Sequence, residues 1–334
     1  MVRLFVAAFL LALWPNGVQA ASAPKKIVIA HAAMNARVGP LWIARDLGLF
    51  AKYGVDADMI FVRSSPLIVA AMSSGEIKVG YGAGPAVIAA VGSGSDMKIL
   101  SAFTNRVTYD LIARPGIERP EDLRGKKFGV QAIGGTLWMG AILGLEHLGL
   151  DPDRDNINIL AVGDQTALAQ ALFSGTIDAT VLDGVMSRKL QQSGFPVLAD
   201  LNKANLPLLG IAIVARDPYI QNNPQIVQGV MKALIEGTAF ALSPAQKPTT
   251  LKILQKYLKI GEAEAEEGYK DMAIGFDRKP YASPQGVMNI VRLMKTRNPK
   301  VEKVKPGDVI DDRILKLLDQ SRFIDEMYAR YGGK

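Results

Sequence analysis

The strongest constraint in this chain is a segment that occurs twice, about a hundred residues apart. Ala71-Met72-Ser73-Ser74-Gly75-Glu76-Ile77 and Ala171-Leu172-Phe173-Ser174-Gly175-Thr176-Ile177 agree at four of seven positions without a gap. Each reads as the last turn of a helix, a glycine stop and the start of a strand. Two more matches stand in the same order. Lys25-Lys26-Ile27-Val28-Ile29 corresponds to Lys126-Lys127-Phe128-Gly129-Val130, and Asp46-Leu47-Gly48-Leu49 to His147-Leu148-Gly149-Leu150. A period this long exceeds any solenoid unit and argues for two similar lobes.

Within each copy, strand and helix alternate. Residues 27–30, 55–62 and 77–81 read as strands, 40–50 and 67–74 as helices, with Ser64-Ser65-Pro66 as a helix start. Such alternation implies a parallel sheet covered on both faces, an α/β class of two doubly wound lobes. Residues 109–114 and 210–216 are apolar strands that each end in Ala-Arg before a Pro turn, one entering and one leaving the second copy. They read as a two-strand hinge. Lobe I then takes residues 21–108 and 217–334, and lobe II residues 109–216. Four amphipathic helices, at 226–242, 249–258, 262–272 and 284–295, would pack around lobe I.

The first twenty residues stand apart. Arg3 supplies a positive start, residues 4–14 form an apolar run, Pro15-Asn16-Gly17 breaks it, and Val18-Gln19-Ala20 offers small residues for cleavage after Ala20. A run of eleven is too short for a membrane anchor, so the reading is an export leader and a periplasmic location. The chain has no cysteine, which excludes thiol catalysis, Cys-ligated zinc and a lipid-modified Cys tether. The formal net charge of +7 is spread out without dense runs or aromatic interleaving, which argues against nucleic acid and suits mild steering of an anionic solute.

Several segments resemble the nitrate/sulfonate/taurine-binding and thiamine-precursor-binding periplasmic proteins. They are Pro40-Leu41-Trp42-Ile43-Ala44-Arg45-Asp46-Leu47-Gly48-Leu49-Phe50 with Tyr53-Gly54-Val55, residues 72–80, and Arg119-Pro120-Glu121-Asp122-Leu123-Arg124-Gly125-Lys126-Lys127. Lys78 stands where that family usually carries an acidic residue. The resemblance implies a type II periplasmic-binding fold, a small-molecule solute in the inter-lobe cleft, and a membrane permease with its ATPase as partners. It leaves the ligand's identity open, a small anionic or heteroaromatic solute being the expectation.

In open α/β sheets ligands bind beyond the carboxyl ends of the strands. That rule selects the turns at His31, Asn35 and Arg37, at Ser64-Ser65, at Gly82, Ala83 and Gly84, at Gln131 with Gly134-Gly135-Thr136, at Asp164-Gln165-Thr166, and at Asp183. In Gly134-Gly135-Thr136 two glycines let backbone N–H groups come close, Thr136 caps the following helix, and the helix end favours an anion. A plain glycine turn with a Thr cap has the same sequence. Asp183 either meets a donor group on the ligand or caps the next helix, while Asp164 reads as a cap. His147 reads as structural, and Trp42 and Trp138 as core more than as stacking platforms. Gly80-Tyr81-Gly82-Ala83-Gly84 lacks the third glycine of a dinucleotide loop.

The chain carries no P-loop, H-E-x-x-H, G-x-S-x-G or paired histidines, so no cofactor and no metal are called. Binding without catalysis is the leading expectation. An enzyme of the same fold related to thiamine-pyrimidine biosynthesis, or a periplasmic sensor, stands as the alternative.

Overall fold

The computed structural model of the chain describes residues 25–332; the leader read at residues 1–20 lies outside them. The strands are β1 (Lys25–His31), β2 (Val55–Phe61), β3 (Val79–Tyr81), β4 (Met97–Ala102), β5 (Asp110–Ala113), β6 (Lys127–Val130), β7 (Asn158–Ala161), β8 (Ala179–Leu182), β9 (Val197–Asp200) and β10 (Ala212–Arg216). They form two five-stranded sheets of identical plan, in the orders β2-β1-β3-β10-β4 and β7-β6-β8-β5-β9. In each, the first three strands listed run parallel and the inserted fourth runs antiparallel to both its neighbours. β3 and β8 are buried along their whole length, as strands covered by helices on both faces must be.

The repeated segment closes the same way in both copies. Gly75 and Gly175 sit at φ of 83° and 77°, a left-handed conformation that glycine adopts without Cβ strain. Each follows a helix, Ser65–Ser73 or Gln165–Phe173, and the Ile two residues later donates its N–H to the Ala71 or Ala171 carbonyl. Gly48 and Gly149 likewise share φ values of 67° and 76°. Gly48 breaks the helix anticipated over 40–50 into Gly39–Asp46 and Leu49–Lys52.

The crossing between the sheets lies one step outside the two Ala-Arg strands. β5 is buried inside the second sheet and β10 inside the first, so these strands do not pair with each other. The segments next to them do. Phe103 N–H donates to the Ile211 carbonyl, Gly210 N–H to Thr104, Leu208 N–H to Asn105, and Val107 N–H to Leu206, at 2.6–3.1 Å. The Thr104 hydroxyl also accepts from the Ile211 N–H at 2.7 Å. Two antiparallel strands of chain therefore join the sheets, but through residues 103–108 and 206–211.

Helices Pro224–Leu242, Lys247–Leu258, Glu262–Gly275 and Pro284–Met294 match the four anticipated ones closely. Trp42 is 2% exposed and lies flat on Tyr257, ring centroids 4.8 Å apart. Two short amphipathic helices, Arg313–Gln320 and Phe323–Arg330, were not anticipated. The end of the second is held by Glu236, whose side chain is 1% exposed. Its carboxylate accepts from Lys52 at 2.6 Å, from Tyr331 Oη at 2.7 Å and from Tyr53 Oη, with Arg330 beside it at 3.3 Å.

Candidate functional site

The cleft lies where the carboxyl ends of β1, β3, β6 and β8 face one another across the crossing. It has two adjoining compartments. They share Ala32, Ala33, Arg37, Tyr109, Gln131, Leu137 and Ile211 as a common wall. Ser65, Tyr81, Gly82, Ala83, Thr104, Arg106, Thr108 and Thr136 complete the first compartment. Met34, Asn35, Asp164, Gln165, Asp183 and Met186 help to complete the second.

Arg37 is central to both. It sits in a 3₁₀ turn, residues 36–38, that Asn35 opens by accepting the Arg37 N–H at 3.2 Å. The residue is 3% exposed. Its Nη2 donates to the Thr108 carbonyl, and its guanidinium carbon lies 4.7 Å from the centre of the Tyr109 ring. Nε and Nη1 are buried and have no hydrogen-bond partner among the described residues. Tyr81 fixes the turn from below, its hydroxyl donating to the Arg37 carbonyl at 3.0 Å. Burial pushes the Tyr81 phenol well above the usual range and raises that of Tyr109, so both are neutral.

Asp183 caps the helix Gly184–Gln192, accepting the Met186 N–H at 3.1 Å, and its own N–H donates to Gln165 at 2.7 Å. The cap reading is therefore realised, and the carboxylate also borders the second compartment. Burial raises its pKa above the ordinary carboxylate range, against the opposing charge of Arg37 and a hydrogen bond from Asn35. Asp164 caps the helix after β7 by accepting the Ala167 N–H at 3.0 Å. Gln131 is a clasp: from the second sheet its amide donates to the Arg63 carbonyl at 2.6 Å and to Ala32 at 3.2 Å in the first.

Of the residues selected from sequence, Asn35, Arg37, Ser65, Gly82, Ala83, Gln131, Thr136, Asp164, Gln165, Thr166 and Asp183 thus converge on the cleft. Ser64 and four others do not border it. His31 is 5% exposed, donates from Nδ1 to the Ala33 carbonyl at 2.8 Å, and packs edge-on against Trp42. Burial lowers its pKa, so it is a neutral prop behind the wall. Gly84 is required elsewhere, because a Cβ there would lie 2.8 Å from the Leu209 carbonyl oxygen of the crossing. Gly134 takes the left-handed turn at φ 79°. Gly135, not Thr136, is the N-cap of the helix Thr136–His147, so no side chain caps that helix, and Thr136 borders the cleft from its first turn. Ala83, by contrast, holds φ 75° without being glycine, a strained backbone at the cleft wall. Neither Trp42 nor Trp138 borders the cleft.

Sequence reasoning missed Tyr109, Thr104, Thr108 and Ile211. All four lie in or beside the crossing, whose place follows from pairing between distant segments and not from any local period.

Comparison with known proteins agrees with this architecture. Residues 35–247 match the model of the NMT1/THI5-like family. A Brucella abortus protein described only as a binding protein is 27% identical over 236 residues, 69% of this chain and 70% of its own length. The taurine-binding periplasmic protein of Escherichia coli is 27% identical over 202 residues, 59% of this chain and 61% of its own length. The structure of the alkanesulfonate-binding protein SsuA from Xanthomonas axonopodis, bound to MOPS, superimposes with a TM-score of 0.69. At 19% identity over 86% of this chain and 96% of that one, it shows a shared periplasmic-binding fold.

Proposed function

The chain belongs to the NMT1/THI5-like family, and from that premise we propose that it is the solute-binding component of an ABC importer that captures a small anion between its two lobes. One observation carries the anion: a buried guanidinium in the cleft wall with two unpartnered donors, Nε and Nη1 of Arg37. A buried N–H without a partner costs roughly 1–3 kcal/mol, so such donors persist where something else accepts from them. A carboxylate or sulfonate accepts such charge-assisted bonds best. Thr136 and Ser65 border the same compartment and suit the remaining oxygens, while Ala83, Leu137 and Ile211 line it for an apolar remainder.

Binding without turnover is the reading that the cleft and the relatives' names support. Among the described residues no group of three or more His, Cys, Asp or Glu could hold a metal ion. No single described helix is long and apolar enough to cross a membrane. In this reading the chain is exported to the periplasm with its leader cleaved near Ala20, the lobes are residues 21–108 with 217–334 and residues 109–216, and the closed form hands its solute to a permease driven by an ATPase.

A thermal-shift series tests the anion directly. Ethanesulfonate, propionate and nitrate are compared with propionamide and propanol at equal concentration. Ligand at a hundred times its dissociation constant stabilises the folded chain by about 2.7 kcal/mol, so true ligands separate clearly from the rest. Anions raising the midpoint while the uncharged analogues do not is the expected pattern. Equal shifts from charged and uncharged members would sink the anion reading.

A further inference from the structure

Beside the cleft, and bordering neither compartment, a row of opposite charges joins the two halves of the molecule. The helix Gly184–Gln192 starts at the cap Asp183 and runs out along the helix Glu262–Gly275, which packs on the turn holding Arg37. Arg188 meets Asp271 at 2.9 Å and also pairs with Glu267, and Lys189 pairs with Glu264. On the opposite flank Arg292 forks onto Glu146 with bonds of 3.0 and 2.8 Å, tying the helix Pro284–Met294 to the helix Thr136–His147.

Gly184 is the tightest point of this seam. A Cβ built there would fall on both carboxylate oxygens of Asp271 and on the Arg188 guanidinium. Its backbone is not in the left-handed region, and it stands in the first turn of a helix, where its own conformation would accept alanine. Alanine is the better helix residue, so the helix alone gives no reason for glycine. What stands in the way of a methyl group is a pair of side-chain ends, the Asp271 carboxylate from across the seam and the Arg188 guanidinium, which must both shift to admit it.

We infer that Gly184, Arg188 and Asp271 are closure-setting residues: they fix how much of the population has its lobes shut and thereby tune affinity without touching the solute. The inference rests on the reading that the lobes close over a solute. When only the shut form holds ligand tightly, the apparent dissociation constant is the intrinsic one divided by the shut fraction. Arg188 is 38% exposed at its side chain, so its ion pairs are individually weak and salt-sensitive, while the steric limit at Gly184 is not.

The chain has no cysteine, so Gln192→Cys and Lys252→Cys, two exposed positions on the two helical walls, take a pair of spin labels cleanly. Label separations are measured with and without ethanesulfonate in the parent, in Gly184→Ala, and in Gly184→Ala with Asp271→Ala. Gly184→Ala is expected to lengthen the separation, weaken ethanesulfonate binding about tenfold and leave the solute-free melting midpoint unchanged, the signature of a tenfold lower shut fraction. Removing the Asp271 carboxylate leaves only the partly exposed Arg188 guanidinium beside the methyl, free to turn to water, and restores the short separation. Unchanged separations and affinity in Gly184→Ala overturn the inference, as does a parent that shows one long separation in both conditions. A parent that shuts but responds to no anion overturns the solute reading instead.

Discussion

Replacing Arg37 by Met keeps the length of the side chain and removes its charge, and its effects on folding and on binding separate. In the solute-free chain the substitution deletes one charge-assisted bond to the Thr108 carbonyl, the contact with the Tyr109 ring and the positive charge that opposes the burial of the Asp183 carboxylate. The first two contribute about 1.5–3 kcal/mol and about 0.5–1 kcal/mol respectively, and protonation of Asp183 limits the third. The substitution also removes two buried donors without partners, each of which costs the folded state about 1–3 kcal/mol. The terms offset, and the melting midpoint of Arg37→Met should stay within a few degrees of the parent.

Binding has no such compensation. An anion that accepts from both Nε and Nη1 gains two charge-assisted bonds, and losing even about 3 kcal/mol of that weakens affinity by roughly a hundredfold. Arg37→Lys keeps the charge but not the planar array of donors and should fall in between, near tenfold. Calorimetric titration with the best anion of the thermal-shift series reads both numbers. Anion binding within threefold of the parent in Arg37→Met would refute the assignment. So would a collapse of the melting midpoint, since the guanidinium would then be a structural strut.

Three further outcomes follow from the same geometry. Glu236→Gln should destabilise the chain by about 2 kcal/mol at neutral pH, because Tyr53 and Tyr331 lose their charged acceptor while Lys52 and Arg330 can turn to water. Despite its burial, the bonds from Lys52 and the two tyrosines hold the Glu236 pKa below the ordinary value, so the difference should shrink as pH falls below about 4, where the parent's carboxylate protonates too; a pH-independent gap would refute the charge account. Asp183→Asn keeps a good helix cap and has the opposite sign. Burial holds that carboxyl above its unfolded value, so ionisation costs stability at neutral pH, and the variant should melt higher than the parent at pH 7, with the gap closing as pH falls through the raised folded value and gone by about pH 4. Finally, the chain expressed with its leader in a double-membraned bacterium should be recovered from the periplasm beginning at Ala21, read by mass spectrometry; an intact residue 1 would refute the leader reading.

The cleft residues that sequence reasoning reached are those whose place is set by topology. A strand that ends and turns into a helix must put its turn at the carboxyl edge of the sheet, and Asn35, Arg37, Gln131, Thr136 and Asp183 all stand on such turns. Two consequences lay beyond that rule. Whether a turn residue faces the cleft or the interior depends on side-chain direction within a few ångströms, which separates Arg37 from His31 six positions earlier on the same connection. The far wall of the cleft is made by residues 103–109 and 206–211, whose position comes from pairing across about a hundred residues of chain. Nothing local in Thr104, Thr108 or Tyr109 announces it.

The two Ala-Arg strands show how a correct observation led to a displaced hinge. Their likeness is genuine, but it records the internal repeat and not a crossing. β5 lies between β8 and β9, and β10 lies between β3 and β4, the same antiparallel slot in two sheets of identical plan. Each terminal arginine then does the same job, Arg114 reaching Asp178 at 3.3 Å and Arg216 gripping Asp96 at 2.8 Å. In each sheet the slot is filled by the strand that follows a crossing, so β5 precedes its sheet's other strands in the chain while β10 follows its own. The repeat is therefore permuted in order as well as duplicated. That places both crossing segments next to an antiparallel strand and along the cleft, so a change in the angle between the sheets alters the site directly.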